Sequence, residues 1–435
     1  MSAGIDGAPA ASYWRATATE PDYRTPAPKA VYDAAIVGAG YTGLTAAIAL
    51  AHKGLSVALI DAQQPGWGAS GRNGGFCCLG GDHLGIGAIE KRFGTEQAQR
   101  YVQAQLAAIA QVKRNCEDFN ISADICGIGE TLLAHREKTQ AQLHQTQAAF
   151  QQHYGLEAQL LSSVELKQRG QCASASFAGL HMPAGFGLHP LKYCYGLVRA
   201  AQNLGVDFYN NHTVAALKHT SGRRQLNTSR GQLNARKVLM ATNGYTQDAM
   251  HPSLNGRVLP ALSNILVTRP LTQQELDSQG WWSTNPSYDT RNLLYYFRLL
   301  PDQRFLFGGR GGIRQSEASF AARRKQHGVD FQRYFPAWAQ VDVDYFWRGH
   351  VALARQQTPH IAALGDELYC ALAYHGNGVA MASWSGHKAA ALMLKDAAAI
   401  AEVPAFMQNK PKAFPLPQLR TGYLAAAYLA YNCVD

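Results

Sequence analysis

Residues 31–37 form a loosely alternating run rich in Val, Ile and Ala that stops at Gly38, the pattern of a buried strand feeding a glycine turn. Residues 42–52 continue as a helix of small and apolar side chains, and residues 55–60 read as a second buried strand. The opening of the chain therefore predicts a βαβ unit. Ala98, Val102, Leu106, Ile109 and Val112 then recur at steps of three and four and predict a helix over residues 95–119. A Gln-rich amphipathic helix is predicted over 137–154, with a strand in GIGETLLAHRE between the two. A helix over 191–204 is followed by strand-like runs in GVDFYNNHTVAALKH, GQLNARKVLMATNGYT and NILVTRPLT. In NLLYYFRLLPDQRFLFGGR, Pro301 and Asp302 separate two β-rich runs and predict a hairpin. The chain then returns to α/β character: a strand over 368–373, a glycine loop, a helix over 378–395, and a Pro-rich bend over 411–417 before a final helix.

At 435 residues the chain is long enough for two domains, and 47% hydrophobic with 16% charged residues allows a large core. No apolar run is long enough to read as a membrane span, and the N-terminus lacks the basic and apolar regions of a secretory signal. A cytoplasmic location is the expectation. The eight cysteines show no CxxC and no regular spacing, so neither a zinc module nor a disulfide framework is expected, and no metal site. A net charge of +10 raises the question of nucleic acid, but Lys and Arg are scattered. The densest groups are Arg223–Arg224 and Arg323–Arg324–Lys325, without interleaved aromatics, which points to a solvated surface and to no nucleic-acid partner.

Gly38, Gly40 and Gly43 fit G-x-G-x-x-G between strand and helix. The first glycine permits the tight turn, the second lets a pyrophosphate approach the backbone, and the third allows close helix–strand packing. Asp61 stands at the end of the second strand, where an acid accepts the ribose hydroxyls of an adenosine; its charge disfavours a 2′-phosphate. NAD and FAD both use this unit. The next segment, GWGASGRNGGF, sets glycines beside Arg72 and Asn73, which suits a chain running against a flat, polar ring system.

The stretch YDAAIVGAGYTGLTAAIALAHKGLSVALIDAQQPGWGASGRNGG, with SYW upstream, resembles the FAD-dependent glycine/D-amino-acid oxidase superfamily. GWGASGRNGG most resembles its γ-glutamylputrescine oxidase branch. The similarity continues in ATNGYT, LLYYFRLLPDQRFLFGG, FWRGHVALARQQTPHI and YHGNGVAMASWSGHKAA, and so spans nearly the whole chain. It implies an α/β fold with a discontinuous Rossmann-like FAD-binding domain over residues 31–85, 162–260 and 347–435. A mixed β-sheet and helix substrate domain would take 86–161 and 261–346, with 1–30 an N-terminal extension.

The same resemblance implies that Gly38, Gly40, Gly43 and Asp61 hold the ADP part, and that Ala69, Ser70, Arg72, Asn73, Gly74 and Gly75 pass beside the flavin. Val214 would contact adenine, Ala241, Thr242 and Asn243 would close over the pyrophosphate, and Gly376, Asn377, Gly378 and Val379 would open a helix aimed at the flavin ring. Free N–H groups there suit negative charge on the ring. For the substrate, Arg72 and Arg298 are the expected anion-binding residues, with Tyr296 and His375 beside them. Cysteine is absent from HVALARQQTPHI and histidine from ASGRNGG, so the FAD is expected to be non-covalent. His360 replaces the acid of the common TPD segment, and Lys192, Lys218 and Lys388 are candidates for an oxygen-activating lysine.

The expected reaction is oxidation of a C–N bond, with hydride passing from the amine α-carbon to flavin N5 and oxygen or another acceptor taking the electrons. A γ-glutamylputrescine-type primary amine with an anionic group is the first expectation. Secondary amino acids such as pipecolate or sarcosine, and aminophosphonates, are alternatives, and a non-catalytic FAD- or NAD-binding protein is a reading of a different class.

Overall fold

The computed structural model describes residues 12–23, 26–27, 29–174, 176–220 and 222–434. The predicted βαβ unit is present as strand Tyr32–Val37, helix Tyr41–Ala51 and strand Val57–Ile60. Both strands pair in parallel and lie in an eight-stranded sheet. Its main path runs from His360–Gly365 through Leu368–Leu372, Gly231–Met240, Tyr32–Val37 and Val57–Ile60 to Asp207–Tyr209. Parallel strands are covered on both faces. Here Ala34, Ile36 and Leu59 pack with the helices, while Ala35, Val37 and Ile60 pack with the antiparallel strands Val214–Thr220 and Arg223–Thr228.

Gly43 shows why the first helix can lie so close to its strand. A Cβ at this position would stand 1.8 Å from the Gly38 carbonyl oxygen. The helix Gly378–Leu394 packs on the same helix from the other side, and Thr95–Asp118 packs on Gly378–Leu394 in turn.

The second sheet also has eight strands, in the order Val343–Leu353, Leu259–Thr268, Phe305–Arg310, Tyr295–Leu299, Ser287–Asp289, Glu130–Leu133, Ala178–Met182 and Gln159–Ser162. The predicted hairpin forms its centre: Tyr295–Leu299 pairs antiparallel with Phe305–Arg310 around the turn at Pro301 and Asp302. Alternation along these strands separates two environments. Phe297, Phe305 and Phe307 turn toward helix Glu317–Tyr334, whereas Leu306, Ile265 and Trp347 turn toward the first sheet's core. The helix Glu317–Tyr334 has no counterpart among the sequence expectations. It buries only His327, Phe331 and Tyr334, too few to set up an apolar stripe.

Strand pairing divides the chain differently from the expected domain boundaries at several places, and the boundaries at 162 and 261 also cut strands Gln159–Ser162 and Leu259–Thr268 of the second sheet. Ala178–Met182, assigned to the FAD-binding part, joins the second sheet, and so does all of Val343–Leu353, which the boundary at 347 cuts. Thr95–Asp118, assigned to the substrate part, buries Tyr101, Ala108 and Val112 in one core with Ile36 and Leu44. Partner choice in a sheet is a long-range matter that local periodicity does not encode. Among the described residues no helix is long and apolar enough to cross a membrane.

Gly43→Ala is expected to force helix Tyr41–Ala51 off its strand and to destabilise the protein by about 1–3 kcal/mol. Chemical denaturation of the two proteins measures this; an unchanged midpoint would show that the contact at Gly38 relaxes without cost.

Candidate active site

Two connecting cavities lie along the glycine-rich segments. The smaller, ≈ 110 Å³, is lined by Gly38, Gly40, Asp61, Val214, Ala241 and Thr242 among others. The larger, ≈ 340 Å³, lies between the two sheets and takes Arg72, Asn73, Gly74, Tyr296, His375, Gly376, Asn377, Gly378 and Val379 into its wall. Ala69, Ser70 and Asn243 line both. Two of the residues expected at the cofactor, Gly43 and Gly75, line neither. Gly43 serves the packing described above, and Gly75 turns the chain beneath the wall at φ +75°.

In the smaller cavity the turn is set by Gly38 at φ +110°, and a Cβ on Gly40 would meet the Ser70 hydroxyl at 2.8 Å. Ser70 Oγ accepts the Tyr41 N–H at 3.0 Å, so the helix start and the ASGRNGG loop are joined directly. Asp61 accepts N–H groups from Ala39 (2.7 Å) and Gln63 (2.8 Å). Burial nevertheless pushes its carboxyl up to about 6.

The ASGRNGG loop is held by side chains from distant parts of the chain. Asn73 Oδ1 accepts the Gly75 N–H (2.8 Å), while its Nδ2 donates to the carbonyls of Ala69 and Ser70. Trp14 Nε1 donates to Asn73 O at 2.8 Å, and Trp347 Nε1 to Arg72 O at 3.0 Å. The SYW segment, read only as part of a resemblance, thus acts as a clamp on this loop.

Arg298 requires a correction, because it does not line the cavity. The residue is 1% exposed and its guanidinium is engaged by two carbonyls and a sulfur: Nε donates to Gly74 O (3.0 Å), Nη2 to Leu188 O (2.6 Å) and Nη1 to Cys126 Sγ (3.2 Å). The side chain points to the correct face of its strand but at the wrong end. Arg310, on the partner strand, is the guanidinium that reaches the cavity wall, where its Nη2 donates to His375 O at 2.6 Å. The run FLFGGR was visible in the sequence; only strand register puts Arg310 beside Ser263 of the neighbouring strand and Arg298 beside Leu306 in the hairpin.

Arg72 lines the wall with its guanidinium 4.1 Å from the Trp67 ring centre, and burial lowers its pKa. Tyr296 exchanges a hydrogen bond with Ser263 at 2.9 Å, and burial pushes its hydroxyl up to about 12. His375 sits in the left-handed region at φ +51°, and burial, with Arg310 nearby, pushes its imidazole down to about 3. Both effects favour the neutral ring. Helix Gly378–Leu394 starts at the wall with Asn377 at the N-cap position; the Asn377 side chain makes no capping bond and its Nδ2 donates to Leu79 O instead. Sequence reasoning did not single out Glu130, Ser263, Tyr288 or Arg310, all of which line the larger cavity.

None of the three candidate lysines lines either cavity. Lys192 pairs with Asp124 and Lys388 with Glu402, each at 2.8 Å or less, and Lys218 is exposed on an outer strand. His360 is buried at the start of its strand, and its Nδ1 meets Asn409 O at 2.8 Å.

The family model described as FAD dependent oxidoreductase matches residues 33–392. The chain belongs to this family. As an FAD-dependent oxidoreductase it is an enzyme, and similar proteins bear out the α/β fold. It is 31% identical over 370 residues to a probable oxidoreductase OrdL of Haemophilus influenzae, covering 84% of this chain and 83% of the relative. It is 27% identical over 369 residues to the gamma-glutamylputrescine oxidoreductase of Escherichia coli, covering 84% of each. Among solved structures, glycine oxidase from Geobacillus kaustophilus superposes with a TM-score of 0.69 at 19% identity, over 84% of this chain and 95% of the other. L-proline dehydrogenase from P. horikoshii gives a TM-score of 0.69 at 18% identity, over 85% and 95%.

The residues present fit FAD. A backbone cradle that a Cβ on Gly40 would fill leads from a carboxylate at Asp61, placed for ribose, to a helix N-terminus at Gly378 in the larger cavity.

Two outcomes are expected for this FAD-dependent oxidoreductase. Arg298→Met leaves two buried carbonyls without donors and should cost about 3 kcal/mol, with loss of FAD on purification, rather than a selective change in KM. Thermal denaturation and the flavin-to-protein absorbance ratio measure both. Separately, an ionised Asp61 accepts two hydroxyls and a protonated one fewer, so FAD retention should be constant above about pH 7 and fall as the pH drops through about 6. The fluorescence of released FAD follows this, and Asp61→Asn should flatten the profile.

Proposed function

We propose that the enzyme oxidises a C–N bond of an amine that carries an anionic group, with a γ-glutamylputrescine-type primary amine as substrate and FAD held without a covalent link. The observation that carries the reading is that Arg310 and Arg72 both stand in the wall of one cavity that also holds a helix N-terminus. Two guanidiniums in a partly dry site bind a carboxylate well, because the local dielectric strengthens each charge-assisted hydrogen bond. The similarity to the E. coli enzyme over 84% of both chains supports the choice of amine.

When bound, the flavin supplies the two-electron acceptor for the amine. The chain's residues do the rest. Arg310 and Arg72 fix the anionic end, and the Tyr296 hydroxyl, itself oriented by Ser263, presents a polar contact along the wall. Free N–H groups at the start of helix Gly378–Leu394 favour negative charge in the cavity. Neutral His375 supports Arg310 through its carbonyl and adds no competing charge. Holding the reacting carbon in one orientation in a dry site is the protein's main contribution to rate.

The FAD reading rests on the donor set described above, and its non-covalent attachment on the nucleophiles at hand. Cys78 is the cysteine in the cavity wall, and burial raises its thiol well above the ordinary value, which leaves it little thiolate. Acid precipitation should therefore leave the yellow colour in the supernatant; a yellow pellet would mean a covalent bond.

An anaerobic panel of γ-glutamylputrescine, putrescine, pipecolate, sarcosine, D-amino acids and aminoethylphosphonate tests the reaction. γ-Glutamylputrescine is expected to bleach the flavin, and Arg310→Met to raise its KM by about tenfold or more, on the order of 1.4 kcal/mol, with kcat changed less. Faster bleaching by pipecolate or sarcosine would replace the substrate class. Bleaching by none would overturn amine oxidation.

A further inference from the structure

Strand alternation puts five polar side chains on one face of the second sheet. Arg310 pairs with Ser263, Tyr296 with Gly308 two residues before Arg310, and Tyr288 with Tyr296. Tyr288 also pairs with Leu132, so Glu130, two residues earlier, shares that face. All five line the larger cavity. Arg310 and Glu130 stand on strands three steps apart and about four residues apart along them, roughly 20 Å between backbones at the usual spacings of about 4.8 Å across and about 3.3 Å along, before their side chains reach inward. The sheet thus presents a cation at one end of the cavity and a carboxyl at the other.

Among the described residues Glu130 has no cationic partner. It is 4% exposed, and its hydrogen bonds are to the Cys78 thiol and the Leu79 backbone N–H. The titratable groups facing it are Cys78 from the loop, Tyr288 from the neighbouring strand and Tyr154 from helix Gln140–Tyr154. None of these is a cation. The other acid in the wall, Asp82, is already engaged by the N–H groups of Leu84 and Gly85 and by the Tyr101 hydroxyl. A buried carboxyl without a counter-ion costs several kcal/mol when ionised, unless something cationic enters.

We propose that Glu130 binds the ammonium group of the substrate, so that the cavity selects an extended molecule with an anion at the Arg310 end and a cationic nitrogen at the Glu130 end. This rests on the amine-oxidising reading of the same cavity. Burial pushes the Glu130 carboxyl up to about 8, so near neutrality it is largely protonated until the ammonium arrives. Binding then releases that proton to solvent. Glu130→Gln is a mild change for the fold, since a neutral amide replaces a neutral acid of the same shape.

The test uses the FAD-loaded enzyme reduced with dithionite, which cannot turn over, and two ligands that share the glutamyl carboxylate and differ only in the terminal ammonium: γ-glutamylputrescine and γ-glutamylbutylamide. Calorimetry should find γ-glutamylputrescine bound at least ~10-fold more tightly than γ-glutamylbutylamide. It should also find proton release near pH 7, read from buffers of different ionisation enthalpy, for γ-glutamylputrescine alone. In Glu130→Gln of unchanged FAD content the preference should fall to about twofold or less and the proton release should vanish. Absence of preference or of proton release in the unaltered enzyme would overturn the proposal, and so would a preference that survives in Glu130→Gln. Bleaching by amines with no role for Glu130 sinks only this inference. A Glu130-dependent ammonium preference without bleaching by any amine sinks the catalytic reading instead.

Discussion

The Arg298 guanidinium is the constraint on which the cavity depends. It stands on the central hairpin of one sheet and donates to Gly74 O in the ASGRNGG loop and to Leu188 O beyond it. Leu188 N in turn donates to Gly75 O at 2.8 Å, so the loop and the 186–190 segment form one unit around a single cation. A cation with this little exposure persists because carbonyl dipoles, the Cys126 sulfur and the Trp14 ring surround it. Without it, the loop that forms the wall between the two cavities would lose its tie to the hairpin and keep those from Trp14, Trp347, Tyr41, Leu188 and its own Asn73.

That clasp explains how a sheet can serve two purposes. One face of the second sheet is a dense aromatic core in which Phe297, Phe305, Phe307, Phe335 and Trp281 pack with ring centres 4.7–6.3 Å apart. This face fixes the hairpin and therefore its register. The opposite face is free to carry Arg310, Tyr296, Tyr288 and Glu130 into the cavity because its own order is set from behind. Rigid support of this kind is what positions polar side chains to within a fraction of an ångström.

The electrostatics follow from burial more than from neighbouring charge. Asp61 and Glu130 are pushed up and His375 and Arg310 down, each first by loss of water. Such groups are costly unless a ligand completes them, which is the usual physical mark of a functional cavity.

The sequence by itself determined the βαβ unit, the glycine turn, Asp61 and the helix at Gly378, because each is local: a strand, a turn and a helix start lie within a few residues of one another, and periodicity encodes them. It also carried the family resemblance, since ordered motifs persist along the chain. The tertiary structure alone decided which arginine faces the cavity. Arg298 and Arg310 lie on the same face of paired strands, and only register and the position of the glycine loop make one a clasp and the other part of the cavity wall. Glu130 was invisible for the same reason: it reaches the cavity through a parallel pairing with a strand some 150 residues away, and no local pattern records a partner at that distance.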